Sequence, residues 1–363
     1  MTTEEIFHNE MVELGGRLPR ERMDERSAKS YEAIEERAQD LVSAVRHEIP
    51  DLPEIHVDFI FNRSVNAAAF ASCGKYFIGL TTGTLFMLRS VIGRLLSDRT
   101  IFVEIGNPDA ELERVPPWKK YVPDAELMYR SEQVLSPKDP VRRAYAEFLQ
   151  DQALMFFLGH EMTHIVHGHV DYLRANRNHR FTVELSPAQG GEEEKLERQA
   201  IEIEADRRSI LSRLDSLRAD FAQSSPSIYP WKPEAKQPID VLVDWALSLQ
   251  IVFHLFGDLH FTGIDPATTD YPPGALRRAL CEAAVHGFAR QLRGAEAAKM
   301  ALKAALIARF EAERAFRKLL GESSEVSAPP ELIPRNYSDR AQMLETYMNS
   351  TLAERLRSFR FGG

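Results

Sequence analysis

Four histidines and one glutamate interrupt an apolar run in the middle of the chain, FLGHEMTHIVHGHV from Phe157 to Val170. His160, Glu161 and His164 form the pattern His-Glu-x-x-His. On an α-helix, side chains four residues apart point about 40° from each other and lie one turn apart, so both imidazoles can meet one tetrahedral metal ion. Glu161 would lie beside them, where a carboxylate can polarise a metal-bound water for hydrolysis. The apolar flanks predict a central helix, in which these polar groups need a metal or a partner.

A catalytic metal site of this kind needs a third protein ligand. His167 points in nearly the same direction as His160 but lies about 10.5 Å further along the axis, too far for one ion on a straight helix. His169 lies nine residues after His160, on the opposite face of a continuous helix. We therefore expect His167 and His169 to be solvated or structural. The third candidate, Glu202, lies on the next predicted helix and can reach the ion from there.

Glu202 opens the segment EIEAD, which ends at Asp206. Asp206 is four residues on and on the same helix face, where it can accept a hydrogen bond from a ligand histidine and fix its tautomer. Glu204 points about 200° away from Glu202, so we expect a surface charge that can pair with Arg208. Because this helix is rich in charge, the alternative is that Glu202 itself lies on a solvated face.

The combination of HExxH with ExxAD, 38 residues after His164, resembles the gluzincin metallopeptidases, which include the HtpX, Oma and CAAX-protease group. The resemblance implies that His160, His164 and Glu202 bind one Zn²⁺, that Glu161 is the general base, and that Asp206 supports a ligand histidine.

The segment VNAAAFASCGKYFIGLTTGTL, Val65–Leu85, resembles the active-site edge strand of that family. A peptide substrate lies against such an edge as an added strand. The resemblance implies that the substrate main chain is bound by Asn66, Ala67, Ala68, Ala69 and Phe70.

The segment YPPGALRR resembles the family's HPxxxxR element. Tyr271 stands where the family has histidine, and Arg277 matches its arginine. Either side chain is a candidate to stabilise the oxyanion of the transition state. The alternative for Tyr271 is that it caps the helix that follows.

In layout the chain is similar to the soluble Lit-type phage-exclusion peptidases, over roughly residues 55–290. This similarity implies a cytoplasmic zinc endopeptidase that cleaves a protein substrate, in bacterial phage defence. Two alternatives stay open: a quality-control or processing peptidase with the same chemistry, and a non-enzymatic partner-binding protein with a structural zinc. An intact Glu161 favours an enzyme, because a structural site needs no base.

The elements that must position these residues are mostly helical. Helical spacing covers Arg26–Ile49, and alternating β-formers predict strands near Glu54–Asn62 and within Val65–Leu85, with a hairpin turn at Gly74. A further strand is predicted at Thr100–Glu104, and residues 105–138 read as irregular. One long helix is predicted from Pro140 to Ala175, a loop at 177–191, and helices thereafter. We therefore expect an α+β fold, mostly α, with a zincin-like metallopeptidase core: a small N-terminal β-sheet and an active-site helix, followed by a helical C-terminal part.

Four regions are predicted along the chain. Residues 1–50 form an N-terminal helical segment and residues 51–222 the catalytic core with the sheet and both motif helices. Residues 223–238 form a linker, and residues 239–363 form a helical C-terminal subdomain that completes the active site through residues 271–278.

Net charge, cysteine content and the apolar segments indicate which partners and which location to expect. The chain has 363 residues, a net charge of −9 and two cysteines. An acidic surface repels phosphate backbones, which argues against nucleic acid as a partner, and two cysteines do not make a disulfide scaffold. The first residues lack the apolar core of a signal peptide, and charged or polar residues interrupt Val241–Phe261. We expect a cytoplasmic protein without a membrane partner; the sequence leaves the oligomeric state open.

Overall fold

The computed structural model describes residues 1–116, 118, 134–177, 181–183, 191–223, 229–236, 238–256, 265–322 and 334–362. Parts of the predicted irregular stretch 105–138, loop 177–191 and linker 223–238 lie outside these ranges.

Within the described ranges the chain is mostly helical with one small sheet, which confirms the predicted α+β class. The helices are α1 (Thr3–Met11), α2 (Glu25–Glu48), α3 (Thr82–Ser97), α4 (Pro140–Val166), α5 (His169–Arg177), α6 (Glu192–Gln223), α7 (Leu242–Phe256), α8 (Gly274–Leu320, kinked at Gly294), α9 (Arg335–Tyr347) and α10 (Ala353–Leu356). The strands are β1 (Ile55–Ile60), β2 (Ala67–Ser72), β3 (Lys75–Thr81) and β4 (Phe181–Val183).

The four strands form one sheet in the order β1-β3-β2-β4. β1 runs parallel to β3, and β2 is antiparallel to both β3 and β4. The predicted hairpin between β2 and β3 is confirmed, with Cys73 and Gly74 as its turn. Along β2, alternate side chains face opposite sides: Ala67 and Ala69 join the main hydrophobic core, whereas Ala68 and Phe70 pack in the cluster that includes α1.

Helix α4 carries the His-Glu-x-x-His motif and begins where the sequence predicts. Asp139 caps it, because its side chain accepts hydrogen bonds from the backbone N–H groups of Val141 and Arg142 at 3.0 and 2.9 Å. The prediction of one helix through Ala175 is wrong. The helix ends at Val166, since Gly168 has a left-handed φ of +75°, and the chain turns there before α5 begins.

The predicted strand at Thr100–Glu104 is also wrong. This segment forms turns, and its shape is fixed by the fully buried guanidinium of Arg142. That group donates to five backbone carbonyls, those of Leu96, Asp98, Ile101, Phe102 and Ile105. Carbonyls gathered around one cation cannot also pair along a neighbouring strand.

Helices α4 and α6 approach closely beneath the motif. The hydroxyl of Ser209 on α6 donates to the carbonyl of Phe156 on α4 at 2.8 Å. Gly159 allows this approach, because a Cβ there would lie 2.6 Å from the Ser209 hydroxyl oxygen. The main core that surrounds the two helices draws on residues from Leu18 to Leu319. The four predicted regions stay predictions.

Among the described helices, none has the length and apolar character needed to cross a membrane.

Candidate metal centre

The two motif histidines point their Nε2 atoms at each other from one face of α4. These atoms lie 3.0 Å apart, and the side chains of His160 and His164 are 3% and 2% exposed. Both residues thus occupy the arrangement predicted from their spacing of four along a helix.

Glu202 joins them from α6. Its Oε2 lies 3.3 Å from Nε2 of His160, and its Oε1 lies 3.8 Å from Nε2 of His164. Glu202 is 6% exposed, so the alternative of a solvated helix face is excluded. His160, His164 and Glu202 form a buried group that could hold a metal ion.

The spacing of these donors fits one ion. With metal–ligand bonds of about 2.0–2.1 Å, the donors of a tetrahedral site lie about 3.4 Å apart. The three distances here, 3.0, 3.3 and 3.8 Å, bracket that value. In addition, Oε2 of Glu202 is buried with no hydrogen-bond partner among the described residues, which is a costly state for a carboxylate oxygen unless an ion binds it.

Asp206 contacts the first candidate ligand, at the position that the sequence predicts. Its Oδ1 accepts a hydrogen bond from Nδ1 of His160 at 3.0 Å, which leaves Nε2 directed at the site. Burial by itself lowers the pKa of His160, but the nearby carboxylates of Asp206 and Glu202 outweigh burial and raise that pKa well above its usual range. Because a metal ion binds the neutral imidazole, metal affinity at this site should fall at low pH.

Arg277 holds Asp206 in turn. Its Nε and Nη2 donate to the two carboxylate oxygens of Asp206, each at 2.7 Å. Burial alone would raise the pKa of Asp206, but the charge and hydrogen bonds of Arg277 bring it down to about 2. Both oxygens of Asp206 are thus committed to Arg277 or His160. Arg277 is also a predicted oxyanion donor, but its guanidinium already binds the carboxylate of Asp206.

Glu161, the predicted base, is buried at 2% exposure next to His160 on α4. Tyr271, the other predicted oxyanion donor, is half-buried three residues before the start of α8. The roles of Glu161 and Tyr271 stay predictions.

His169 lies where helical geometry alone did not place it. The argument for the opposite face assumed a continuous helix, whereas the turn at Gly168 brings the His169 imidazole back against the motif. Its Nδ1 lies 3.0 Å from Nδ1 of His164, and the side chain is fully buried. His169 is thus structural rather than solvated. The glycine just after the helix was the available signal, because glycine often ends a helix in the left-handed conformation.

Glu204 is not the surface charge that the sequence predicts. It is 7% exposed, and its carboxylate lies 3.2 Å from Nδ1 of His167 and 3.5 Å from Nε2 of His169. The expected contact with Arg208 is present at 3.8 Å. Burial would raise the pKa of Glu204, but the neighbouring imidazoles of His167 and His169 hold it well below its usual range. Glu204 is enclosed by the side chains of His167, His169 and Arg360, which come from other elements and which no pattern within α6 could indicate.

The predicted edge strand is not at the edge. Asn66 and Ala67–Phe70 are all buried, and β4 pairs with β2 on the side away from β3, with Phe181 opposite Phe70 and Val183 opposite Ala68. The loop predicted at 177–191 supplies this short strand. A peptide cannot add to β2 at these positions while β4 is in place.

Comparison with protein-family models, curated proteins and solved structures finds no match. The similarity to gluzincins therefore rests on the short motifs, and the function has to be argued from the geometry of the site.

Proposed function

We propose that this chain is a zinc-dependent endopeptidase. The observation that carries the proposal is the convergence of His160, His164 and Glu202 within one buried site, with Glu161 adjacent on the same helix. A structural zinc is usually enclosed by four protein ligands, whereas a catalytic one has three and an open position. Among the described residues, three ligands converge here.

The donor set favours zinc. Two imidazoles and one carboxylate in a tetrahedral arrangement suit Zn²⁺, whereas Mg²⁺ and Ca²⁺ prefer oxygen ligands in larger number. When bound, zinc would act as a Lewis acid on water and on a substrate carbonyl.

Other residues of the chain have the remaining catalytic and positioning roles. Glu161 takes a proton from the attacking water and passes it to the leaving amine. Asp206 keeps His160 in the tautomer whose Nε2 can bind the ion. Of the two candidate oxyanion donors, Tyr271 is the better one, because Arg277 already binds Asp206 through two nitrogens.

The proposed substrate is an extended protein segment, as the resemblance implies. Its binding surface lies elsewhere than β2 at Ala68–Phe70, because β4 pairs with β2 there. The role in phage defence rests on the resemblance, and the cytoplasmic location rests on the composition and the first residues of the chain.

The test is Glu161→Gln, with proteome-wide profiling of new N-termini in cells and zinc analysis of the purified protein. Loss of a general base typically costs about 10²–10⁴-fold in rate, so we expect cleavage products to vanish while about one zinc per chain is retained. Glu147→Gln is the matched control, because Glu147 is an exposed carboxylate on the same helix.

The peptidase proposal fails if Glu161→Gln cleaves as well as the wild type. The zinc assignment fails if purified wild-type protein contains no zinc. One dominant cleavage supports a dedicated target, and many products from unfolded proteins support quality control.

A further inference from the structure

The second metal ligand, His164, has no carboxylate on its Nδ1. His160 has Asp206 in that position at 3.0 Å, whereas His164 faces the imidazole of His169, Nδ1 to Nδ1, also at 3.0 Å. On the far side of His169, Nε2 faces Oε2 of Glu204 at 3.5 Å. Both of these atoms are buried, and neither forms another contact of hydrogen-bond geometry among the described residues, nor does the 3.5 Å contact between them meet that geometry.

One assignment of protons satisfies every contact. If Nε2 of His164 is to bind the metal ion, the proton of that neutral imidazole lies on Nδ1. Nδ1 of His169 must then accept it, so the proton of His169 lies on Nε2. On that side the Glu204 carboxylate lies 3.5 Å from Nε2 and can act as the acceptor. The opposite tautomer of His169 would set two N–H groups against each other at Nδ1.

Arg360 anchors the far end of this chain of contacts. Its Nη2 donates to Oε1 of Glu204 at 2.9 Å. The neighbouring backbone is fixed as well, since the N–H of Phe361 donates to the carbonyl of Val166, the last residue of α4, at 2.9 Å. Phe359 packs directly against Gly168. The segment Phe359–Phe361 thus closes over the turn that brings His169 to the site.

We propose that His169 and Glu204, anchored by Arg360, form a positioning relay for His164. The two ligand histidines are then held in parallel ways: His160 by a carboxylate and Arg277, and His164 by an imidazole, a carboxylate and Arg360. The relay rests on the proposed zinc site. It extends the support of His164 to Arg360, which lies nearly 200 residues later in the chain.

The test measures the affinity of the purified protein for Zn²⁺, by competition with a chromogenic chelator, and the absorption spectrum of the Co²⁺-loaded protein. His169→Phe keeps a planar ring but removes the acceptor. Loss of a hydrogen-bond partner of a ligand histidine typically weakens metal binding by about 10–100-fold, so we expect that loss and a shifted Co²⁺ spectrum. His169→Gln, whose amide oxygen can accept the same proton, should recover part of both.

His167→Phe is the matched comparison, because among the described contacts His167 reaches Glu204, at 3.2 Å, but not His164. It should lose less affinity than His169→Phe and keep a Co²⁺ spectrum closer to that of the wild type. Arg360→Met, at a partly exposed position, is the second variant; it should weaken Zn²⁺ binding in the same direction as His169→Phe but less. Circular dichroism checks that each variant is folded.

The relay is refuted if folded His169→Phe binds Zn²⁺ and Co²⁺ like the wild type, or if His167→Phe loses as much affinity. A wild type that binds no Zn²⁺ also overturns it. Because no measurement here uses a substrate, a wild type that binds Zn²⁺ through the relay but cleaves nothing would refute only the proposed peptidase activity.

Discussion

Three acidic side chains of the EIEAD segment serve the site in three different ways. Glu202 faces the two imidazoles as a ligand candidate, Asp206 orients His160, and Glu204 lies behind His169. All three are buried, so the stability of each depends on its partners. The segment is therefore a set of specific contacts rather than a charged helix face.

Asp206 should make the stability of the metal-free protein depend on pH. Its pKa is lowered from 3.8 to about 2 in the folded protein, so the ionised form favours folding. This contribution, about 2 kcal/mol, is fully present above pH about 4 and is lost as the pH falls towards 2. Denaturant unfolding with a chelator present should show this extra loss for the wild type and not for Asp206→Asn.

Asp215→Asn, at a half-exposed position on the same helix, should keep the wild-type pH profile. Equal pH slopes for the wild type and Asp206→Asn would contradict the assigned role of the Asp206–Arg277 pair.

At the scale of elements, the break between α4 and α5 decides which histidines belong to the site. A straight helix would carry His169 to the far side, whereas the turn at Gly168 returns it to His164. The turn depends on a residue without a side chain, because φ is +75° and a Cβ would lie 2.5 Å from atoms of Phe359.

Gly168→Ala should therefore destabilise the protein and weaken metal binding together. We expect a loss of about 2–4 kcal/mol in the free energy of unfolding, from left-handed strain and overpacking. Gly287→Ala is the control, since Gly287 lies in α8 with open space around its Cβ position; it should be neutral or stabilise by up to about 1 kcal/mol. A neutral Gly168→Ala in denaturant unfolding and Zn²⁺ titration would contradict this account.

The sheet shows the same dependence on neighbouring elements. The β-forming pattern of β2 and β3 is local, and the hairpin follows from it. The position of β2 within the sheet is not local, because it depends on whether Phe181–Val183, more than 100 residues later, pairs beside it.

At the scale of the molecule, the site lies where two hydrophobic clusters meet. Phe156, Phe157 and Met162 beside His160 belong to the main core, and Ile201 and Ile203 beside Glu202 belong to a second cluster with α9. A metal bound between α4 and α6 therefore links both clusters and should stabilise the folded chain as a whole.

Removal of the metal should lower the melting temperature. A ligand that binds only the folded state stabilises it by about 3–4 kcal/mol when its free concentration is 100–1,000 times Kd. Thermal melts with added Zn²⁺ and with excess chelator should show this difference for the wild type and for Glu161→Gln. The double variant His160→Ala, Glu202→Ala should melt at one temperature under both conditions, and a wild type that also does so would contradict the metal site.

The sequence by itself determined the contacts that arise within one helix or from a shared helical face. His160 and His164 share a face because they are four residues apart, and Glu202 and Asp206 share one for the same reason. The mostly helical α+β class also followed, because hydrophobic periodicity is local. These features account for the ligand group and the support of His160.

Only the tertiary structure decided the surroundings of that group. The turn at Gly168, the burial of Glu204, the reach of Arg360 and the pairing of β4 with β2 all join segments that are distant in the chain. Their positions depend on how whole elements pack, and helical or strand periodicity carries no information about packing between elements. For this reason helical geometry excluded His169 from the site, whereas the turn at Gly168 places it against His164, which it supports.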